Sequence, residues 1–274
     1  MILRSRLIWY LQNSAKLFVV SVRLLIHSIF HPKLFFRLGF SLFSTLNEFY
    51  QYTHGKLYPF KETHTYKKLK NEFSFAKCNY YYSDKNVARS LEVLILSTLV
   101  QYFKPKTIFE IGTYTGFTTL HFAQNSKEDT VIYTLDLPPN YGQEKLTHDK
   151  LEKYSYDDHL VVELSTRGID NRVFHKNPLR KKIIEIYGDS MRHDFNPYKG
   201  KMDFIFIDGC HAYDYIKSDT ENAFKMLSEN GVIVWHDYDY IIHRDVFKYL
   251  NSLVKDYRIY SIPNTRFAIY GKNI

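Results

Sequence analysis

From about Asp84 onward, short continuous apolar runs alternate with longer stretches of helical periodicity. The runs Thr107–Ile111, Val131–Leu135, Ile183–Tyr187, Asp203–Ile207 and Val232–Trp235 read as strands buried on both faces. Val87–Phe103, Phe117–Gln124, Tyr213–Leu227 and Arg244–Lys255 carry the amphipathic helical pattern between and after them. Such alternation predicts an α/β domain with a parallel sheet covered on both sides. Arg258–Ile262 and Phe267–Tyr270 flank the turn Pro263–Asn264, which is too short for a crossover, so this last pair is antiparallel. The expected sheet has seven strands, mostly parallel, with an antiparallel C-terminal strand.

Two stretches break the rhythm. Pro138–Lys182 is longer than a crossover needs and holds Tyr141, His148, Tyr154, Tyr156, His159 and His175. It reads either as a substrate lid at the carboxyl ends of the strands or as an ordinary helix with a solvated loop. Residues 1–83 read as a helical basic N-terminal extension, and residues 84–274 as the main domain. No acidic residue precedes Glu48, while Arg4, Arg6, Lys16, Arg23, Lys33 and Arg37 punctuate an otherwise apolar stretch. These charges interrupt every window of the ~20 apolar residues needed to cross a bilayer. The alternatives for residues 1–50 are peripheral contact with an anionic membrane surface, or packing on the domain or on a second subunit of a homo-oligomer.

Charge sharpens this division. The net charge is +8, yet residues 1–70 hold 11 of the 37 Lys/Arg and only 2 of the 29 Asp/Glu. The main domain is therefore near neutral, which argues against a nucleic-acid partner. Cys78 and Cys210 are the only cysteines. They offer neither a disulfide framework nor a metal spacing, and fit a cytoplasmic, reducing location that a peripheral membrane contact would modify.

The candidate chemistry lies at the strand ends. Glu110-Ile111-Gly112-Thr113-Tyr114-Thr115-Gly116 follows one strand and opens a helix, where open parallel sheets bind ligands. Asp136 ends the next strand, 20 residues past Gly116, and is placed to accept ribose hydroxyls. Gly188-Asp189-Ser190 follows the third strand and can meet an adenine. Asp208 follows the fourth and His236-Asp237 the fifth, with His211 in the intervening loop as a candidate general base. A dinucleotide oxidoreductase would carry a glycine at position 114 to admit a pyrophosphate, and Tyr114 stands there.

Glu110–Gly116, Asp136, Gly188–Ser190, Phe206–Tyr213 and Asn230–Tyr238 together resemble the class I S-adenosylmethionine-dependent methyltransferases. More narrowly they are similar to the macrocin-type and cephalosporin-cluster O-methyltransferases, with a more distant likeness to catechol O-methyltransferase. The likeness covers about residues 84–271 and implies a Rossmann-like fold, S-adenosyl-L-methionine as cofactor, and a small-molecule or glycan hydroxyl as acceptor. It implies that Glu110 approaches the methionine end of the cofactor, that Gly112, Thr113, Tyr114, Thr115 and Gly116 lie under it, and that Asp136 holds the ribose. Asp189 and Ser190 would lie by the adenine, and Asp208 beside the cofactor and the reacting centre. In metal-dependent relatives the positions matching Asp208, His236 and Asp237 hold a divalent cation such as magnesium. The pair is usually acidic at both places, so His236 points toward a softer metal or a base. An oxidoreductase on the same scaffold, or a non-catalytic membrane- or partner-binding protein, are the competing readings.

Overall fold

The computed structural model describes residues 55–72, 90–138, 141 and 172–274. The N-terminal stretch 1–50 and most of the expected lid segment lie outside these described residues.

Helix α1 (His64–Glu72) precedes α2 (Ser90–Phe103), and the sheet then builds through β2 (Thr107–Ile111), α3 (Phe117–Asn125) and β3 (Val131–Asp136). Next come β4 (Ile183–Tyr187), β5 (Met202–Ile207), α4 (Tyr213–Met226), β6 (Leu227–Trp235), α5 (Arg244–Leu253), β7 (Tyr260–Ser261) and β8 (Ala268–Gly271). A short first strand, β1 (Tyr58–Pro59), completes an eight-stranded sheet in the order β1-β7-β8-β6-β5-β2-β3-β4. The α/β fold with a mostly parallel sheet and an antiparallel β8 is therefore as expected. β8 slots between β6 and β7 and runs opposite to both.

The eighth strand is the departure. Tyr58↔Tyr260 and Pro59↔Ser261 pair in parallel at the outer edge of β7. The sheet thus recruits residues well before position 84, which the pattern placed in the extension. A two-residue strand carries no periodicity, so the sequence gives no sign of it.

Alternating residues sort the sheet into two cores. Ile108, Ile132, Phe204, Phe206, Val232 and Val234 pack on one face with Leu96, Leu99 and Val100 of α2 and Leu120 and Phe122 of α3. Phe109, Ile111, Leu135, Ile205, Ile207, Ile233 and Trp235 pack on the other with Ile216 and Ala223 of α4 and Leu250 of α5. Central strands buried on both faces need an apolar residue at nearly every position. That is what the runs IFEI and FIFI supply.

Register aligns the strand tips. Ile111 pairs with Leu135 on one side and Ile207 on the other, and Ile207 pairs with Trp235. The ladder continues one step through Gly112 N–H to Leu135 O (2.9 Å), Asp208 N–H to Ile111 O (2.8 Å) and His236 N–H to Ile207 O (3.0 Å). Gly112, Asp136, Asp208 and His236 consequently leave the sheet at one level.

Candidate active site

The loop after β2 is held by close backbone approach. Gly112 has φ +94°, and a Cβ there would lie 2.0 Å from the Asp208 carbonyl oxygen. Only glycine lets the two strand ends meet this closely. Tyr114 follows in the left-handed region at φ 48°, and its amide donates to Asp136 Oδ2 at 2.9 Å. Gly116, at φ +74°, starts α3, and the Phe174 ring occupies the space a Cβ would need. Among the sequence-expected residues, the structure thus brings the glycine loop and Asp136 into direct contact.

Glu110 is enclosed at the end of β2, just before that loop. Its side chain is wholly buried, and Oε2 accepts from Thr119 Oγ1 (2.5 Å) and Thr134 Oγ1 (2.6 Å). Thr134 Oγ1 in turn shares a hydrogen bond with Thr113 Oγ1 at 2.6 Å. Through these contacts Glu110 ties β2, β3 and α3 together, while its Oε1 has no hydrogen-bond partner among the described residues. Burial pushes its carboxyl up to about 8, against the lowering effect of the two threonine hydroxyls.

At the β4 end, Asp189 accepts from the Met191 amide (3.0 Å) and from Tyr141 Oη (3.3 Å). Behind it stands Asp219 of α4, fully buried. Burial pushes that carboxyl up to about 7, with the Ser190 hydroxyl opposing the rise. Neither Asp219 nor its place beneath Gly209 is signalled by spacing. An acid on a polar-looking helix reads as a surface residue.

A dense ionic cluster forms at the tips of β5 and β6. His236 Nδ1 lies 2.8 Å from Asp208 Oδ1 and 3.2 Å from Asp237 Oδ2, and its Nε2 is 3.3 Å from Glu92 Oε2. Arg266 donates from Nη1 to Asp237 Oδ1 at 2.5 Å, and its Nε is 3.4 Å from Glu92 Oε1. His211 Nε2 stands 2.9 Å from Asp237 Oδ2, and His243 Nδ1 lies 3.2 Å from Asp237 Oδ1. Asp237 adopts φ 55°, a strained backbone for a non-glycine residue that aims its carboxylate into this cluster.

The charges follow from these contacts. Burial works against a charged His236, yet Asp208, Asp237 and Glu92 together hold it well above its ordinary range. Burial likewise opposes the Asp237 carboxylate, and Arg266, His236 and His243 overcome it and hold it well below the usual value. Asp208, His211, His236 and Asp237 were expected from sequence. Glu92, His243 and Arg266 were not, although a lone acid inside the apolar helix Ser90–Phe103 is itself a signal.

Asp208, His236 and Asp237 present three ligand atoms within 4.8 Å of one another, so the geometry gathers the expected metal trio. Its chemistry does not fit magnesium. An imidazolium shared by three carboxylates has no lone pair to give, and Arg266 already neutralises Asp237. Magnesium asks for oxygen ligands in octahedral array, and this set offers a protonated nitrogen in their midst.

Residues 109–238 match the family model described as a methyltransferase domain, a stretch running from β2 to just past β6. It includes every strand tip described above. Uncharacterized protein R132 of Acanthamoeba polyphaga mimivirus is 25% identical over 180 residues, 65% of this chain and 73% of its own length. Among solved structures, the SAH-bound methyltransferase PaMTH1 of Podospora anserina shares 18% identity with a TM-score of 0.49, covering 74% of this chain and 87% of that one. The O-methyltransferase from Bacillus cereus in complex with SAH shares 14% identity with a TM-score of 0.47, covering 85% and 99%.

Proposed function

We propose that this chain is an S-adenosyl-L-methionine-dependent O-methyltransferase acting on a hydroxyl of a small molecule or a sugar. The observation that carries the reading is the common level of the strand tips. It sets a ribose-type carboxylate, Asp136, and a base-type pair, His211–Asp237, along one edge of the sheet.

The residues suit this cofactor. The glycine loop lacks the glycine a pyrophosphate requires, and adenosylmethionine carries no phosphate. Asp136 Oδ1 accepts only the Leu137 amide (2.9 Å) among the described residues, which leaves it capacity for a ribose hydroxyl. When bound, adenosylmethionine supplies an electrophilic methyl carbon on a sulfonium. The protein's task is to orient the acceptor oxygen in line and to take its proton.

His211 is suited to that proton. The Asp237 carboxylate can only accept, so the neutral His211 ring carries its proton on Nε2 and its basic lone pair on Nδ1. As the O–CH3 bond forms and the S–CH3 bond breaks, the acceptor's proton passes to His211, and Asp237 balances the imidazolium. His236, His243 and Arg266 hold Asp237 in place, and no step is routed through a metal. The narrower likeness to macrocin-type and cephalosporin-cluster enzymes favours a hydroxyl over a nitrogen or carbon acceptor.

The test is calorimetric titration of the full chain with S-adenosylhomocysteine, with NADH as the competing ligand, followed by methyl-transfer assays on hydroxyl acceptors. Micromolar binding of S-adenosylhomocysteine that weakens in Asp136→Ala is the expected result. Binding of NADH instead would replace this reading with an oxidoreductase.

A further inference from the structure

Arg172 has the most completely enclosed guanidinium of the described cofactor edge, with a side-chain exposure of 0%. Its three nitrogens reach three different elements. Nη2 donates to Asp136 Oδ2 at 2.7 Å, Nε to the Tyr114 carbonyl at 3.2 Å, and Nη1 to Glu185 Oε2 at 3.0 Å. The face of the group lies 5.5 Å from the centre of the Tyr187 ring. The next residue continues the attachment, since the Val173 amide donates to the Thr115 carbonyl at 3.0 Å. Phe174 then fills the space over Gly116.

Lone-pair counting on Asp136 shows what this does. Oδ2 receives both the Tyr114 amide and Arg172, so its two acceptor positions are filled. Among the described residues Oδ1 receives the Leu137 amide alone. The carboxylate is thereby fixed in one rotation, with its remaining acceptor capacity on Oδ1. Burying a carboxylate this deeply without a cation is costly, and the bidentate-capable, always charged guanidinium is the group that can offset it.

We propose that Arg172 is a positioning residue for the adenosine cofactor, holding the Asp136 carboxylate charged and in one orientation while anchoring the glycine loop under the same ligand. This rests on the adenosylmethionine reading of the site. Arg172 acts through Asp136 and through the Tyr114 backbone.

The surroundings define a readout that simple loss of packing would not move. Asp136 is faced by Arg172, and beyond the guanidinium stand Glu185, His175, Arg180 and Tyr187. Burial lifts the Asp136 carboxyl above its ordinary range and Arg172 pulls it back down. Removing the guanidinium lifts it further. Ligand affinity that needs the ionised carboxylate is then lost at a higher pH as the solution is acidified.

The experiment is titration of the full chain with S-adenosylhomocysteine between pH 5 and 8, for wild type, Arg172→Met, Arg172→Lys, Asp136→Asn and the double variant Asp136→Asn/Arg172→Met, each checked for folding by circular dichroism. Arg172→Met is expected to bind about tenfold more weakly or worse at pH 7, with its acid limb shifted to higher pH. Arg172→Lys is expected to keep the wild-type limb and lose only part of the affinity, because it keeps the charge without the fork. In the Asp136→Asn background, Arg172→Met is expected to cost less affinity than it does in wild type, the remainder being the share that acts through the Tyr114 backbone. Wild type that binds with Arg172→Met unchanged in affinity and limb overturns the role of Arg172 while leaving the cofactor reading intact. Wild type that fails to bind overturns both. If Arg172→Met does not fold, unchanged affinity in Arg172→Lys is the overturning result.

Discussion

His211 Nε2 lies 2.9 Å from Asp237 Oδ2, while the other oxygen of the same carboxylate is held by Arg266. The carboxylate therefore cannot swing, and the imidazole inherits its orientation. Replacing His211 by Gln is expected to lower kcat by about 10²–10⁴-fold while leaving S-adenosylhomocysteine affinity unchanged. Steady-state kinetics with a parallel titration separates the two, and equal loss in both would reassign His211 to ligand binding.

His236 joins three carboxylates through one charged ring. His236→Gln leaves them without their shared cation and is expected to destabilise the fold by roughly 3–5 kcal/mol at neutral pH. The native imidazole is held well above 6.5, so its contribution is fully present below 6.5 and fades as pH rises through the native value. Denaturant unfolding of both proteins across an alkaline series should show the gap closing.

Because the Asp208–His236–Asp237 set already contains its own cation, chelation should change nothing. Dialysis against EDTA is expected to leave methyl transfer and thermal stability as they were, and added magnesium to have no effect. Activity that disappears with EDTA and returns with a divalent metal would show that a metal displaces the His236 proton.

Glu110 titrates in the same sense, over a window that opens at lower pH. Its carboxyl is near 4.5 in the unfolded chain and about 8 in the native one, so between these values only the native state holds the proton. Stability falls through this window by roughly 1.4 kcal/mol per pH unit from this group alone. Glu110→Gln mimics the protonated form, and its stability should vary less with pH between 4.5 and 8 than that of wild type. Parallel curves for the two proteins would place the Glu110 proton elsewhere.

Gly112→Ala sets a methyl group against the backbone of the β5 tip at an unfavourable φ. Since the obstacle is main chain, the cost should exceed about 3 kcal/mol. Chemical denaturation, or accumulation as insoluble protein, measures it.

The strands and the acids at their ends were readable because periodicity and turn chemistry are local. Gly112, Asp136, Asp208 and Asp237 each follow an apolar run, and register then levels them. What the sequence hid is long-range. Arg172 meets Asp136 across 36 positions and Arg266 meets Glu92 across 174, and no spacing rule connects them. Glu110 was legible as part of the motif, but its hydrogen bonds to Thr119 and Thr134 were not, since they join β2 to α3 and β3. His236 read as a metal ligand or a base, because a histidine looks the same from sequence in either role.

The two-residue strand Tyr58–Pro59 also bears on how the molecule ends. Proline has no amide hydrogen, so β1 satisfies the flank of β7 while offering little to another chain in turn. Trimming the protein back to residue 84 would strip this cover and bare the ladder of Tyr260–Ser261. The shortened protein would then tend to join with itself edge to edge, and its failure in solution would reflect stickiness rather than any defect in the cofactor edge.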